Sequence, residues 1–416
     1  MAVPAELTDF VGLPDSSFRW RATRENHALT TLRLTTQSWR GIEWVHSLTI
    51  CHSLSGFMNP VPAAADTAVI YITGGPPNSA DLADLATVAS ISGLNTAMLF
   101  DMPNQPIFGR EEDELIAYTF DQFLGGGDPS WPLLFPMAKS VIRAMDALEE
   151  WSGGRLKRFV LMGESKRAWT AWMAAATGDP RIIGITPTVF DNLNVPDQLA
   201  HQLELWDRFS PAIHDYTDLA LPNRLDSDVG RRLARIVDPL NYMPSVGARV
   251  LLVHGANDPY WAPDALSLYI DALPEGTTLL TLPNEGHVFA DKGAYYATAC
   301  AFARACALNS SWPGITSELD ERNIYIVKLI KSAFCSAVCT DCRLFIAESE
   351  SGDFSETEWR LESRCTLPEA PEVRFGLPRF EAAFQAVFVQ ADFEMEIGGL
   401  RSTITISVPT VLRRTE

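Results

Sequence analysis

The sequence predicts an α/β protein with a mostly parallel sheet, a helical cap and a small C-terminal all-β domain. Short continuous apolar runs alternate with helix-like stretches between residues 68 and 282. This alternation is typical of a parallel sheet covered on both faces. Residues 191–245 interrupt it with Asp, Pro, His and aromatic side chains, and after residue 313 strand-like runs continue without clear amphipathic helices.

The elements follow from local patterns in chain order. Residues 31–36 and 44–51 alternate polar and apolar side chains, which indicates strands with one buried face. Six continuous apolar runs indicate fully buried strands, at 68–73, 97–100, 158–162, 182–190, 249–255 and 277–282. Three stretches between them have helical character, at 82–92, 136–151 and 165–178.

The length and the changes in pattern indicate two domains. The chain has 416 residues, and a domain commonly takes about 100–200. We predict an α/β domain at 1–315, with a cap insertion at about 191–245 over the carboxyl ends of the strands. A β-sandwich-like accessory domain is predicted at 316–416.

The charge balance excludes several classes of partner. Subtracting 52 Asp and Glu from 33 Lys and Arg gives a net charge of −19, which argues against nucleic acid or an anionic membrane as partner. No apolar run approaches the roughly 18–20 residues that span a bilayer. The opening residues show no secretion signal, so the compartment stays open: periplasmic or secreted if a signal was removed, otherwise cytoplasmic. The oligomeric state is also left open.

The seven cysteines do not resemble a disulfide framework, because their number is odd and their spacing uneven. Cys335, Cys339 and Cys342 lie close together in CSAVCTDC, and Cys365 is the nearest fourth thiol. Four such ligands would complete a zinc site. We rank buried free thiols first, disulfides second and zinc last, and we predict no metal in the functional site.

The segment FVLMGESKRAWTAW, residues 159–172, is typical of a nucleophile elbow. In such an elbow a serine, here Ser165, occupies a strained turn between a strand and a helix. Gly163 supplies the small residue that the close approach of the two backbones needs. Arg167 stands where glycine is usual, and the small residue comes one position later, as Ala168. The alternative is a serine N-cap on an ordinary helix.

The order of the other residues supports the elbow. Asp258 follows the apolar run 249–255, and His287 follows the run 277–282, which gives the Ser, Asp, His order of an α/β-hydrolase. In this chemistry an imidazole takes the serine proton and a carboxylate orients the imidazole. The rival residues are His254, interpreted as a core histidine, His201, His214, and Asp264, interpreted as the start of the next helix.

An oxyanion hole requires two aligned N–H donors. One is predicted to be the backbone N–H of Lys166, directly after the nucleophile. The other is predicted in Gly74 or Gly75, in the loop after the run 68–73, because Pro76 and Pro77 have no N–H. The alternative for the two glycines is a plain turn.

Three further residues are candidates for substrate binding. Asn104 and Gln105 follow a predicted sheet strand, so their loop should lie at the rim of the site; they contact substrate or brace the loop. Trp169 shares a helix face with Trp172, and it forms a binding platform or part of the core.

Two cations lie beside the predicted nucleophile. Lys166 and Arg167 recognise a substrate carboxylate, or they pair with Glu164 and with acids of the cap. The acidic run at 110–114 is interpreted as the solvated start of a helix.

The segment GESKRAWTAW resembles the SKRGWT signature of the PhoPQ-activated pathogenicity-related proteins, a branch of the α/β-hydrolase superfamily. Other segments between residues 10 and 300 resemble elements of that family, among them TTQSW, MPNQP, EEDELIAYTF, DPSWPLLFPMAKSVIRAMDAL, DNLN, DPLNY and LPNEGH. The resemblance implies an α/β-hydrolase core and gives Ser165, Asp258 and His287 the triad roles. The chain departs from the family at Ala168, where glycine is usual.

Together these features predict a serine hydrolase that cleaves an ester or amide, with a carboxylesterase-like activity preferred. The substrate is a small molecule or derives from a polymer, and the chemistry needs no cofactor. The alternatives are a serine peptidase and a non-catalytic binding or signalling protein on the same scaffold.

Overall fold

The computed structural model describes residues 2–51, 61–330, 336–366 and 370–415. The chain divides into two compact units. The first contains Met1–Phe190 and Ile213–Val250, and the second contains Asp191–Ala212 and Leu251–Glu416. Among the described residues, no helix combines the length and the apolar character needed to cross a membrane. The predicted division at 315/316 stays a prediction.

The first unit contains a mixed sheet of seven strands. They are β1 (Arg19–Glu25), β2 (Leu29–Trp39), β3 (Ile42–Cys51), β4 (Thr67–Ile72), β5 (Asn95–Leu99), β6 (Arg158–Glu164) and β7 (Ile182–Thr188). Their spatial order is β1-β2-β3-β5-β4-β6-β7. The alternating runs form the antiparallel strands β2 and β3, and the apolar runs form the parallel strands β4 to β7.

Ten helices lie in the described part of the chain. They are α1 (Glu6–Gly12), α2 (Ser79–Ser92), α3 (Glu112–Gly126), α4 (Leu134–Trp151), α5 (Lys166–Ala176), α6 (Val195–Trp206), α7 (His214–Thr217), α8 (Leu221–Arg224), α9 (Asp228–Val237) and α10 (Gly293–Ala307). The helices predicted at 82–92, 136–151 and 165–178 are present as α2, α4 and α5.

The interruption predicted at about 191–245 is helical. It contains α6 to α9 and a 3-10 helix at Pro239–Ser245. The helix α6 belongs to the second unit, whereas α7 to α9 belong to the first. A capping role for this segment stays a prediction.

The second unit contains the later strands, and the division between the units falls within β8. The strands are β8 (Arg249–Gly255), β9 (Thr278–Leu282), β10 (Gly314–Leu319), β11 (Ile324–Ile330), β12 (Val338–Ser349), β13 (Arg360–Thr366), β14 (Glu372–Gly376), β15 (Phe384–Ile397), β16 (Leu400–Ser407) and β17 (Val411–Arg414). The strands β8 and β9 are parallel, and the order continues as β9-β16-β15-β12-β13 with β17 beside β15. A separate sheet has the order β10-β11-β14.

The C-terminal strands contribute to an apolar core that they share with α10. Buried side chains of β11, β14, β12, β15 and β16 pack together in this core with Ala301 and Ala305 of α10. The strand β16 also pairs with β9, through Ser407 opposite Leu279. The predicted α/β class with a strand-rich C-terminal region is therefore confirmed, and the pairing joins this region to a strand of the α/β part.

Candidate active site

Ser165 occupies a strained turn between β6 and α5. Its backbone has φ 56° and ψ −126°, a conformation that a residue with a side chain rarely adopts. The turn is held from both sides: Ser165 N donates to Thr188 O at 2.8 Å, and Ser165 O accepts from Ala168 N at 2.8 Å. This is the strand-to-helix elbow expected of an α/β-hydrolase.

The neighbours of Ser165 explain the sequence around the elbow. A β-carbon on Gly163 would lie 2.6 Å from Arg167 O, so the close approach predicted for this glycine is present. Ala168, one position after Arg167, is fully buried. Arg167 Nε donates to Met102 O at 2.7 Å, so residue 167 has room for a long side chain. A glycine is therefore not required at position 167.

The geometry does not favour the N-cap alternative for Ser165. In the described elbow, the Ser165 side chain makes no capping hydrogen bond to α5. Lys166 is the first residue of this helix, and the N–H groups of a first helical turn have no acceptor within the helix. They also lie at the positive end of the helix dipole. A role for Lys166 N–H as an oxyanion donor stays a prediction, and this position suits it.

Asp258 and His287 form a hydrogen-bonded pair in the second unit. His287 Nδ1 lies 2.8 Å from Asp258 Oδ2, and the Asp258 side chain is only 7% exposed. The other carboxylate oxygen of Asp258 accepts from Tyr260 N at 3.0 Å. The Tyr260 ring lies against the imidazole, with 4.2 Å between ring centroids. Asp258 is thus held by the backbone of its own loop, and the His287 imidazole contacts both Asp258 and Tyr260.

Two asparagines that the sequence did not single out anchor the loops of this pair. Asn257 Nδ2 donates to Phe354 O at 2.8 Å and to Thr357 O at 2.7 Å. Asn284 exchanges two hydrogen bonds with the Trp359 backbone, at 2.9 and 2.8 Å. Asn257 directly precedes Asp258, and Asn284 stands three positions before His287; these positions are the only local signal for their role.

The rival histidines of the second unit have carboxylates of their own. His201 Nε2 lies 2.7 Å from Asp264 Oδ1, and this hydrogen bond raises the pKa of His201. His254 is buried, with Nδ1 at 3.3 Å from Asp191 Oδ2. Burial raises the pKa of Asp191. Both histidines therefore have a carboxylate partner other than Asp258.

The two remaining rival residues are Asp264 and His214. Asp264 directly precedes a 3-10 helix at Ala265–Leu268, as the sequence predicts for the start of a helix. His214 lies in the first unit with its side chain 66% exposed, at 3.8 Å from Asp215. Neither competes for a place in the Asp258–His287 pair.

The two cations beside Ser165 form ion pairs with α3. Lys166 Nζ lies 2.8 Å from Glu112 Oε2 and 2.9 Å from Asp113 Oδ2. Arg167 contacts both Glu112 oxygens, at 2.7 and 2.5 Å. Burial opposes ionisation of Glu112, but the pairs with Arg167 and Lys166 outweigh it and lower the Glu112 pKa. The acids of the run 110–114 are therefore not simply solvated, and that interpretation is wrong for Glu112 and Asp113.

The Arg167 guanidinium also lies against Gly74, in the loop after β4. A β-carbon on Gly74 would overlap the Arg167 guanidinium, whereas one on Gly75 would meet nothing within 4 Å. Neither residue has the positive φ that makes glycine necessary in a turn. A side chain on residue 74 would therefore have to displace the Arg167 guanidinium, a contact that the sequence did not show, and the oxyanion role of both residues stays a prediction.

The predicted substrate-binding residues all have structural contacts. Asn104 Oδ1 accepts from Val45 N at 2.9 Å. The Gln105 side chain contacts Glu112 twice, at 2.5 and 2.9 Å. Trp169 is 4% exposed, and its Nε1 donates to Val237 O at 2.7 Å. These contacts favour the bracing and core alternatives, and substrate binding by these residues stays a prediction.

Cys335 lies outside the described residues. Cys339, Cys342 and Cys365 are free thiols. Within the described ranges, no group of three or more His, Cys, Asp or Glu side chains is arranged to hold a metal ion.

Several solved structures have a related fold at low identity. Acetyl xylan esterase 1 from Thermoanaerobacterium sp. JW/SL YS485 is 15% identical over 74% of this chain and 94% of that chain, with a TM-score of 0.49. The acetyl xylan esterase from Paenibacillus sp. R4 is 14% identical over 68% and 86%, with a TM-score of 0.48. At TM-scores below 0.5, neither likeness bears on substrate or mechanism.

Sequence comparison identifies a closer relative and a family. Autocrine proliferation repressor protein A of Dictyostelium discoideum is 33% identical over 309 residues, which are 68% of this chain and 60% of that protein. The chain thus spans about three fifths of the length of this relative. The model of the PhoPQ-activated pathogenicity-related protein family matches residues 7–355. The resemblance seen in the sequence is confirmed, and the chain belongs to the family of PhoPQ-activated pathogenicity-related proteins.

Proposed function

We propose that this protein is a serine hydrolase in which Ser165 is the nucleophile, His287 the general base and Asp258 the residue that orients His287. The observation that carries the proposal is the strained Ser165 backbone, with φ 56° and ψ −126°, at the turn from β6 to α5. The Asp258–His287 hydrogen bond of 2.8 Å supports it. The chain order Ser, Asp, His is that of α/β-hydrolases.

The tautomer of His287 follows from its partner. Because Nδ1 bonds to Asp258, Nε2 is the nitrogen that takes the proton from Ser165 Oγ. Oγ then attacks the substrate carbonyl, and the N–H groups of Lys166 and of Gly74 or Gly75 stabilise the oxyanion. His287 next protonates the leaving group, which departs and leaves the acyl group on Ser165 Oγ. His287 then takes a proton from water, the hydroxide attacks the acyl carbon, and the bond to Oγ breaks as His287 returns the proton to Oγ.

We propose an ester as the substrate in preference to a peptide. The chain shows no pattern that specifies a peptide subsite, and a peptidase needs subsites for the amino-acid side chains beside the cleaved bond. A carboxylesterase needs only an acyl pocket and the oxyanion donors. A serine peptidase is the alternative within the same mechanism.

Hydrolysis of p-nitrophenyl acetate and of an aminoacyl p-nitroanilide tests this proposal. The wild type is expected to cleave the ester faster than the anilide. Ser165→Ala and His287→Ala are each expected to lower kcat by about 1000-fold or more. Ser363→Ala, at an exposed serine of β13, is the matched control and should leave kcat unchanged. Equal ester hydrolysis by wild type and Ser165→Ala would refute the proposal.

A second candidate is a signalling protein that acts by binding. It is favoured by the name of the 33% identical relative, an autocrine proliferation repressor. If binding alone is the function, purified Ser165→Ala protein should slow the growth of responsive cells as well as the wild type does. Loss of the growth effect in Ser165→Ala, with the fold retained, would instead link the effect to catalysis.

A further inference from the structure

Cys339, Cys342 and Cys365 lie on one face of the C-terminal strands. In a regular strand, residues three positions apart point to opposite faces. The pairing of β12 with β15 shifts its register between Cys339 and Asp341, so that Cys339 stands opposite Phe393 and Cys342 opposite Ala391. This bulge therefore places both cysteines on the same face of the sheet. Their sulfur atoms are 3.7 Å apart.

The two sulfurs differ in their access to solvent. Cys342 is fully buried, whereas Cys339 is half-buried. The hydrogen bond between them lowers the pKa of Cys339 and raises the pKa of Cys342. The thiolate, which is the reactive form, therefore develops on the sulfur that solvent can reach.

We propose that Cys339 and Cys342 are a redox modification site that closes into a reversible disulfide. Closure must shorten the sulfur–sulfur distance of 3.7 Å to about 2.05 Å. The oxidant is a low-molecular-weight disulfide such as oxidised glutathione. The proposal does not depend on the hydrolase activity.

The exchange has two steps. The Cys339 thiolate attacks one sulfur of oxidised glutathione, the bond between the two glutathione sulfurs breaks, and one reduced glutathione leaves. Cys342 then loses its proton and attacks Cys339 Sγ, which releases the second reduced glutathione. The two protein thiols give up two electrons and two protons in all, and the two glutathione molecules take them up.

Cys365 is the competing partner, because it stands directly opposite Cys342 in the pairing of β12 with β13. We assign the bond to Cys339 since its sulfur is in hydrogen-bonding contact with Cys342. Cys365 then stays a free thiol after oxidation. This difference makes the assignment testable.

The test is thiol mapping of the full-length protein in glutathione buffers. The reduced chain is equilibrated with oxidised glutathione, alkylated with iodoacetamide and digested with a protease that cleaves before Asp341. This cut separates Cys339 from Cys342, so their disulfide appears as two linked peptides that reduction releases. The expected result is this linked pair, with two fewer alkylated thiols per molecule and with Cys365 alkylated.

Two variants sharpen the test. Cys342→Ser is expected to trap the first step, as a stable glutathione adduct on Cys339. The matched control Cys365→Ser should still form the linked pair. The proposal is overturned if wild-type Cys339 and Cys342 both remain alkylated under these conditions. It is equally overturned if the linked peptides join Cys342 to Cys365, or if fragmentation spectra locate the disulfide on Cys335, which shares the peptide 320–340 with Cys339.

Discussion

The Arg167 guanidinium lies where a side chain on residue 74 would have to be. It is held there by Met102 O and by both oxygens of Glu112, and its side chain is 11% exposed. A substitution at Gly74 therefore displaces an ion-paired arginine. No comparable neighbour lies near Gly75.

We expect Gly74→Ala to lower the free energy of unfolding by about 1–3 kcal/mol, because overpacking a well-filled site costs about that much. Gly75→Ala is the matched control and should cost clearly less, since its new methyl group meets open space. Urea unfolding of the two variants measures the difference. Equal losses would show that the arginine moves aside freely.

Glu112 makes the ion pairs at α5 dependent on pH. Its pKa is lowered from the ordinary 4.5 by Arg167 and Lys166, against the opposing effect of burial. The stabilisation is therefore fully present above about pH 4.5 and is lost as the pH falls towards the lowered pKa. We expect unfolding free energy to fall more steeply below pH 4.5 in the wild type than in Glu112→Gln. Glu111→Gln, at an exposed neighbour, should behave as the wild type, and a parallel decline in all three proteins would contradict the assignment.

At the scale of elements, α6 holds the loop that follows β8. Gln202 Nε2 donates to Tyr260 O at 2.9 Å, and Gln202 Oε1 accepts from Ser210 N at 2.9 Å. Gln202 is 1% exposed, so both bonds are shielded from water. Tyr260 in turn contacts the carboxylate of Asp258 and the ring of His287. Gln202 is thus a positioning residue for the proposed acid and base.

Gln202→Ala is expected to lower kcat for ester hydrolysis by about 10-fold or more, with a smaller change in KM, because small displacements of catalytic groups are costly. Gln198→Ala is the matched control: this buried amide of α6 donates to Leu193 O and Ala265 O and leaves Tyr260 untouched. Steady-state kinetics and thermal unfolding of both variants separate positioning from stability. The same kcat loss in both would remove the positioning role.

Local patterns in the sequence predicted the elements well because they depend on neighbouring residues. The apolar runs became β4 to β9, and the turn at Ser165 followed from the strand before it and the helix after it. Apart from the pair of Asp258 and His287, which the Ser, Asp, His order suggested, the partners of side chains were not predictable, because they come from distant parts of the chain. Glu112 and Arg167 are 55 positions apart, and Asn257 and Phe354 are 97. No periodicity in one segment encodes such a pair.

At the scale of the whole molecule, the proposed catalytic residues come from both units. Ser165 belongs to the first unit, and Asp258 and His287 belong to the second. The proposed triad therefore depends on distant segments of one chain, which the family model spans over residues 7–355. Its elbow and its acid–base pair are each formed within a single unit, and their joint action is the central claim.

The most direct test of that claim is to map the adduct that a fluorophosphonate forms with the folded protein. An activated serine displaces fluoride from such a probe, whereas ordinary serines do not react. We predict one adduct per molecule, located on Ser165 by peptide mapping, with no adduct on Ser165→Ala and strongly slowed labelling of His287→Ala. A folded wild-type protein that stays unlabelled, even by a small phosphonate, or that carries the adduct on another residue, would contradict the claim.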